Sequence, residues 1–170
     1  YLIDQGFDST LDNYVSTKNI YQVETLNFNS IYYSPDDMTG IEDFESLKTL
    51  YLDNKGISSI DLSSNLNIET LYLENNNFTS IDLSNNNKIK NLQLGRNSFS
   101  SIDLSNLLFL EELDLTQNDF INIDFSNNTN LLTLDVSKNN LTSIDLSKNT
   151  LLQELKISEN LISDLDLSNN

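Results

Sequence analysis

Apolar residues recur along this chain at spacings of two and three, and the whole pattern recurs every 21 residues. The unit reads apolar-x-x-Leu-x-apolar-x-x-Asn. It is carried by Ile68, Leu71, Leu73 and Asn76, and again by Ile89, Leu92, Leu94 and Asn97. It continues through Leu110, Leu113, Leu115 and Asn118, then Leu131, Leu134, Val136 and Asn139, then Leu152, Leu155, Ile157 and Asn160. An earlier copy, with Leu47, Leu50 and Leu52, has Lys55 where the others have Asn. Six copies in phase, with no insertion or deletion, constitute an internal repeat, and a repeat of this length predicts a solenoid.

The Leu-x-apolar spacing puts two side chains on one face of an extended segment. Stacked copies of that segment predict a parallel β-sheet, advancing ~4.8 Å per repeat. The second half of the unit is nearly constant. It reads Ser-Ile-Asp-Leu-Ser at 59–63, 80–84, 101–105 and 143–147, and differs at two positions each at 122–126 and 164–168. Its alternation predicts a second short extended or β segment on the opposite wall, with Ile and Leu inward and Asp outward. A further inward column runs through Ile57, Phe78, Phe99, Phe120, Leu141 and Ile162, and its three successive Phe predict a stacked aromatic spine. The Asn column is expected to satisfy backbone groups where the chain leaves the strand, since buried amides need partners.

With these motifs the chain resembles the leucine-rich-repeat family, in its 21-residue bacterial variety with an Ile-Asp-Leu second half, over residues 41–170. Residues 40–52, Gly-Ile-Glu-Asp-Phe-Glu-Ser-Leu-Lys-Thr-Leu-Tyr-Leu, look like the opening of such arrays in secreted proteins of Bacteroidetes-type bacteria. The resemblance implies a binding scaffold, secreted or attached to the cell surface, and fold alone does not give function. Related caps carry a calcium loop with oxygen ligands at its first, third and fifth positions, Gly at the sixth and Glu at the twelfth. Asp8, Thr10 and Asp12 match the ligand positions, but Asn13 replaces the Gly and Asn19 the Glu. The expectation is a degenerate loop kept as a cap, with no cofactor; calcium held by Asp8, Thr10 and Asp12 is the alternative.

The organisation follows from where the period fails. Residues 1–22 are read as an N-terminal cap with a short helix. Residues 23–46 are read as a degenerate repeat, in which Val23, Leu26 and Phe28 keep the strand pattern and Tyr32 to Thr39 form an insertion with the only Pro, Pro35. Residues 47–170 hold the six repeats. The sequence ends inside a repeat at Asn170. A bare end exposes core and sheet edge, so the expectation is either a fragment or an end that packs on another copy of itself.

Composition narrows the function classes. With 26 acidic and 9 basic residues the net charge is −17. Nucleic-acid affinity comes largely from Lys and Arg displacing counterions, so such a surface argues against nucleic acid as partner. An anionic membrane surface is repelled as well, and no apolar run is long enough to span a bilayer. Strong acidity also aids solubility in salty water, so the charge is readable as habitat as well as partner. The chain has no Cys and no His. The usual nucleophiles, bases and thiolate zinc ligands are therefore missing, and an enzyme is not expected. Three Asn-x-Ser/Thr sequons, at Asn77, Asn127 and Asn140, are what chance gives in a chain this rich in Asn, Ser and Thr.

The candidate site is the strand face that points away from the core, because there the copies differ. Its central column reads Tyr51, Tyr72, Gln93, Asp114, Asp135 and Lys156; a neighbouring column reads Thr49, Thr70, Asn91, Glu112, Thr133 and Glu154. Asp53, Asn54, Glu74, Asn75, Arg96 and Gln117 flank them. Tyr51 and Tyr72 are expected to stack on adjacent strands. With Gln93, Arg96, Glu112, Asp114 and Asp135 they form the candidate ligand-binding face. Sugars dock on aromatic faces beside polar groups, and protein interfaces favour Tyr and Arg, so protein and polysaccharide are both admitted as partners. The alternative is a Tyr pair that merely supports the sheet, in a chain that serves as a spacer or stalk. Asp61, Asp82, Asp103, Asp124, Asp145 and Asp166 form a second regular column, where like charges one strand apart repel. Serine hydroxyls are expected to offset this by hydrogen bonding; a row of divalent cations is the alternative.

Overall fold

The computed structural model describes residues 20–30 and 38–170. Residues 1–19 of the expected cap, with its loop of Asp8, Thr10 and Asp12, and the insertion tyrosines Tyr32 and Tyr33 lie outside the described residues.

Seven short strands stack in sequence order into one sheet. They are β1 (Thr25–Asn27), β2 (Thr49–Tyr51), β3 (Thr70–Tyr72), β4 (Asn91–Gln93), β5 (Glu112–Asp114), β6 (Thr133–Asp135) and β7 (Glu154–Lys156). All pairings are parallel and in one register, so Thr49 sits beside Thr70, Leu50 beside Leu71 and Tyr51 beside Tyr72. The middle residue of every strand is the Leu that the spacing turns inward. β1 carries the earliest repeat, with Leu26 fully buried against Leu50. A 3-10 turn at Ile41–Asp43 precedes β2 and puts Ile41 and Phe44 into the core. Beyond the strands the ladder is extended by bonds such as the Leu73 amide to the Gln93 carbonyl and the Asn75 amide to the Gly95 carbonyl.

The core is a thin column, one layer per repeat. Its centre is the expected spine. Phe78 and Phe99 lie 6.2 Å apart between ring centroids with planes 3° from parallel, and Phe99 and Phe120 lie 6.5 Å apart at 8°. All three rings are fully buried.

Two asparagine ladders staple the turns. The first is the one the repeat pattern predicts. Asn118 accepts the Phe99 amide on Oδ1 and donates from Nδ2 to the carbonyls of Leu94 and Leu115; Asn76, Asn97, Asn139 and Asn160 repeat the geometry. In the first repeat Lys55 stands in that place, buried, and its amide donates to Asn76 Oδ1. The second ladder, unforeseen in the sequence, runs along the far wall through Asn65, Asn86, Asn128, Asn149 and Asn170. Each donates to two carbonyls of the preceding repeat, as Asn86 does to Leu62 and Asn65. Leu107 interrupts it.

Of the two forms expected for the far wall, extended or β, no β strand is found there among the described residues. Ile60 and its counterparts are half-buried and Leu62 and its counterparts mostly buried, with the Asp exposed as predicted. Yet all seven strands belong to the one sheet. The Asp-x-Ser sequence closes a local turn instead, with the Ser63 amide donating to Asp61 Oδ1 at 2.9 Å. A side-chain acceptor that captures the amide two residues on competes with a ladder between repeats.

Candidate functional site

The open face of the sheet is built by the residues on either side of the inward Leu. Register brings the expected residues together. Tyr51 and Tyr72 stack with centroids 4.7 Å apart and planes 21° from parallel. Gln93 follows on β4, then Asp114 on β5 and Asp135 on β6, each beside the last. In the neighbouring column, Asn91 joins three groups. It accepts from Gln93 Nε2 at 2.7 Å and donates to Glu112 Oε2, and it also hydrogen-bonds the Tyr72 hydroxyl. Burial, with the charges of Glu112 and Asp53 and the neighbouring Tyr51, pushes the Tyr72 hydroxyl pKa up, so it stays a donor at neutral pH.

Asp114 is the most unusual group on the face. It is half-buried, and its Oδ1 accepts one backbone amide, from Thr116 at 2.7 Å. Desolvation by burial raises its pKa above the usual carboxylate value, and the nearby charges of Asp135 and Glu74 add to the shift. Among the described residues no Lys or Arg approaches it within salt-bridge distance. The room for it comes from Gly95 on the adjacent repeat, where other copies carry Asp53, Glu74, Thr116, Ser137 or Ser158. A β-carbon at Gly95 would fall 3.1 Å from Asp114 Oδ1 and 3.0 Å from Thr116 Cγ2.

Cations on this face are engaged with other acids. Lys48 pairs with Glu24 at 2.7 Å, Lys90 with Glu69 at 2.8 Å, Arg96 with Glu74 at 3.5 Å and Lys138 with Glu159 at 3.7 Å. Lys156 binds Glu154 at 2.9 Å and lies 3.9 Å from Asp135. These pairs are exposed and contribute little to stability.

The rim of the face is formed by Asn54, Asn75, Arg96, Gln117, Lys138 and Glu159, which all adopt left-handed backbone with φ between 54° and 61°. Glycine takes that conformation freely, and asparagine tolerates it. Arg, Gln, Lys and Glu do so at a cost, so this rim keeps side chains where backbone preference asks for none. Asn54 and Asn75 carried a sequence signal for this conformation; the other four did not.

The Asp column of the far wall is held by its own serines. Asp61, Asp82, Asp103, Asp124, Asp145 and Asp166 all have lowered pKa values, caused mainly by hydrogen bonds from the serine two residues on. That outweighs the repulsion between neighbours expected from their stacking. A shallow depression of about 330 Å³ lies between Asp61 and Asp82, but its carboxylates are these same turn-bound groups. Among the described residues no cluster of three or more His, Cys, Asp or Glu is arranged for a metal ion, and no helix is long and apolar enough to cross a membrane.

Comparison with known proteins places the fold. No family model matches the chain, and no curated protein matches it in sequence. Among solved structures it is similar to the functional domain of InlJ from Listeria monocytogenes, which includes a cysteine ladder. The TM-score is 0.81 and the identity 26%, covering 92% of this chain and 34% of that one. It is similar to a chain of the LRIM1/APL1C complex, with TM-score 0.68 and 28% identity over 72% of this chain and 25% of that one. It is also similar to the TLR13–ssRNA13 complex, with TM-score 0.67 and 27% identity over 89% of this chain and 25% of that one. The chain thus spans between a quarter and about a third of these proteins. The neighbours are leucine-rich-repeat proteins, and this chain, with no cysteine and a regular 21-residue period, folds as a leucine-rich-repeat solenoid.

Proposed function

We propose that the chain is a recognition module, without catalysis of its own, that binds a protein partner through the open face of β2–β6 outside the cell. The observation that carries this is the contrast between the two walls. The far wall repeats one sequence and ties its aspartates into its own turns, whereas the open face changes from strand to strand and, among the described residues, holds Asp114 with no Lys or Arg at salt-bridge distance. Asp114 and the left-handed rim both lower stability, and such costs concentrate where a surface serves binding.

The Tyr pair favours protein over polysaccharide. A sugar docks on a free ring face, but Tyr51 and Tyr72 each spend one ring face on the other, 4.7 Å apart. A half-buried Tyr pair suits a protein interface, where Tyr is enriched. The neighbours support the same reading: LRIM1 and APL1C form a complex with each other. The TLR13 structure holds single-stranded RNA, but a charge of −17 makes RNA a poor partner for this chain.

A Tyr51→Ser/Tyr72→Ser variant tests the proposal. Binding partners selected from a displayed protein library on the intact chain should lose affinity for the variant, with its unfolding midpoint little changed. Binding that survives the variant and maps to the far wall refutes the reading. Selective binding to soluble polysaccharides, lost in the variant, would refute the protein assignment and keep the face.

A further inference from the structure

The open face is not uniform, and its charge indicates what it receives. The Tyr pair lies on β2 and β3, an amide pair on β4, and a carboxylate band on β5 and β6. In that band Glu112 extends from β5 beside Asp114, and Asp135 follows on β6. Glu111 stands just before β5. Two cations that neighbour the band on the β4 side, Lys90 and Arg96, are paired with Glu69 and Glu74. On its other side Lys138 and Lys156 are paired with Glu159 and Glu154. Among the described residues the only ion pair reaching into it is the 3.9 Å approach of Lys156 to Asp135. The band is therefore a patch of negative charge on an unpartnered sheet face, bounded by cations already in use.

We propose that the partner's contacting element is a polypeptide segment bearing lysine or arginine, received across β5 and β6 by Glu112, Asp114 and Asp135. This rests on the reading of the open face as a protein-binding surface. Asp114 and Asp135 sit on adjacent strands with their Oδ1 atoms held by the amides of Thr116 and Ser137. The amides fix both carboxylates through Oδ1, which leaves Asp114 Oδ2 for an incoming donor, while Asp135 Oδ2 has only the 3.9 Å approach of Lys156. Glu112 is oriented by Asn91. A guanidinium or ammonium arriving here removes repulsion between Asp114 and Asp135 and gains charge-assisted hydrogen bonds in a partly desolvated setting. The neighbouring Tyr51 and Tyr72 supply contact area next to the charge, as an aromatic anchor beside an ionic one.

The test is a selection of random peptides, displayed without charge bias, on the intact 170-residue chain in buffer of about 0.15 M ionic strength, where diffuse attraction is screened beyond ~8 Å. Enriched peptides are titrated against three proteins: wild type, Asp114→Asn/Asp135→Asn, and Asp82→Asn/Asp103→Asn on the far wall. Both variants change the charge by the same amount. Asn keeps the oxygen that accepts the Thr116, Ser137, Ser84 or Ser105 amide, so both should fold, as melting curves will show. The expected result is enrichment of Lys and Arg, with binding about tenfold weaker or more in the open-face variant and unchanged in the far-wall variant. Basic peptides weakened equally by both variants would overturn the proposal, because net charge alone would then suffice. Neutral or acidic peptides that lose affinity for Tyr51→Ser/Tyr72→Ser would overturn it while leaving the open face as the binding surface. Peptides that map only to the far wall would overturn both.

Discussion

Replacing one buried asparagine by leucine should have opposite consequences in the two ladders, and the difference follows from which atoms each uses. Asn118 accepts as well as donates. In Asn118→Leu the Phe99 amide loses its acceptor at 3.0 Å. A buried amide without a partner costs about 1–3 kcal/mol. Asn118 Nδ2 also donates to Leu94 and Leu115 at 3.1 Å each, and those bonds contribute about 1 kcal/mol apiece net. The carbonyls themselves keep other donors, in Asn97 and Asn139. The sum is a loss of about 3–5 kcal/mol. Asn128, in the far ladder, only donates, to Leu104 and Leu107 at 3.0 Å each. Both carbonyls keep a backbone donor, from Leu107 and Leu110. Its Oδ1 is buried without a partner in the protein, so Asn128→Leu removes an unsatisfied acceptor and adds apolar burial. The expected change is about 1 kcal/mol or less, because an under-satisfied carbonyl is tolerated better than an orphaned amide. Urea unfolding of the two variants beside wild type measures this, provided the slopes agree. Equal losses, or a larger loss for Asn128→Leu, would refute the reasoning. The chain already contains a related substitution: Leu107 sits in the far ladder, whereas the strand-side ladder carries Asn in every repeat from Asn76 onward.

Five further outcomes are expected. Phe99→Ala, at the centre of the spine, should destabilise by about 3–5 kcal/mol and Phe99→Leu by under about 1.5 kcal/mol, read from unfolding midpoints. Asp114→Asn should raise the melting temperature at neutral pH. The folded pKa of Asp114 is raised, so its ionised form opposes folding above that pKa, and the gain should vanish as the pH falls below the unfolded value near 3.8. The far-wall aspartates behave oppositely. Their lowered folded values make their contribution complete above 3.8 and lost as the pH falls through them, so an Asp61→Asn/Asp82→Asn variant should lose its difference from wild type in strong acid. Because serines already bind these carboxylates, calcium titration should leave the melting temperature unchanged, and a rise would restore the cation row. Gln117→Gly should stabilise by up to about 1 kcal/mol, by relieving a left-handed residue, and a loss of stability would show that the Gln117 side chain supports the fold.

Much of the fold was legible because one spacing is used again and again. Leu71, Leu92, Leu113 and Leu134 could face only one way once period two was read within each repeat and 21 between repeats. The Phe spine and the Tyr stack followed from register alone. On the far wall the alternation of Ile-Asp-Leu left extended and β segments both open, because nothing in alternation reveals that Asp captures the serine two residues on. The signal was there in the constant Ser two residues after each Asp. The second asparagine ladder had an equally plain signal, Asn65, Asn86, Asn128 and Asn149 at multiples of 21, obscured by Leu107 and by the abundance of Asn. At the candidate site the sequence named Tyr51, Tyr72, Gln93, Arg96, Glu112, Asp114 and Asp135, and register placed them on one face. It did not single out Asp114, because half-burial depends on packing against Thr116 and Gly95. Nor did it pick out Asn91, whose importance lies in joining Tyr72, Gln93 and Glu112.

In this sheet each strand touches only the strands before and after it, always in the same register. The open face therefore works as a ruler whose divisions are whole strands, ~4.8 Å each. Tyr72 of β3 and the first carboxylates, on β5, are separated by one strand, and that interval can change only in whole steps. Inserting or deleting one 21-residue unit at β4 would lengthen or shorten the gap by a single division without disturbing either end. Partner selection on such a surface is then a matter of counting: the same two chemistries, set one strand further apart, would fit a different molecule.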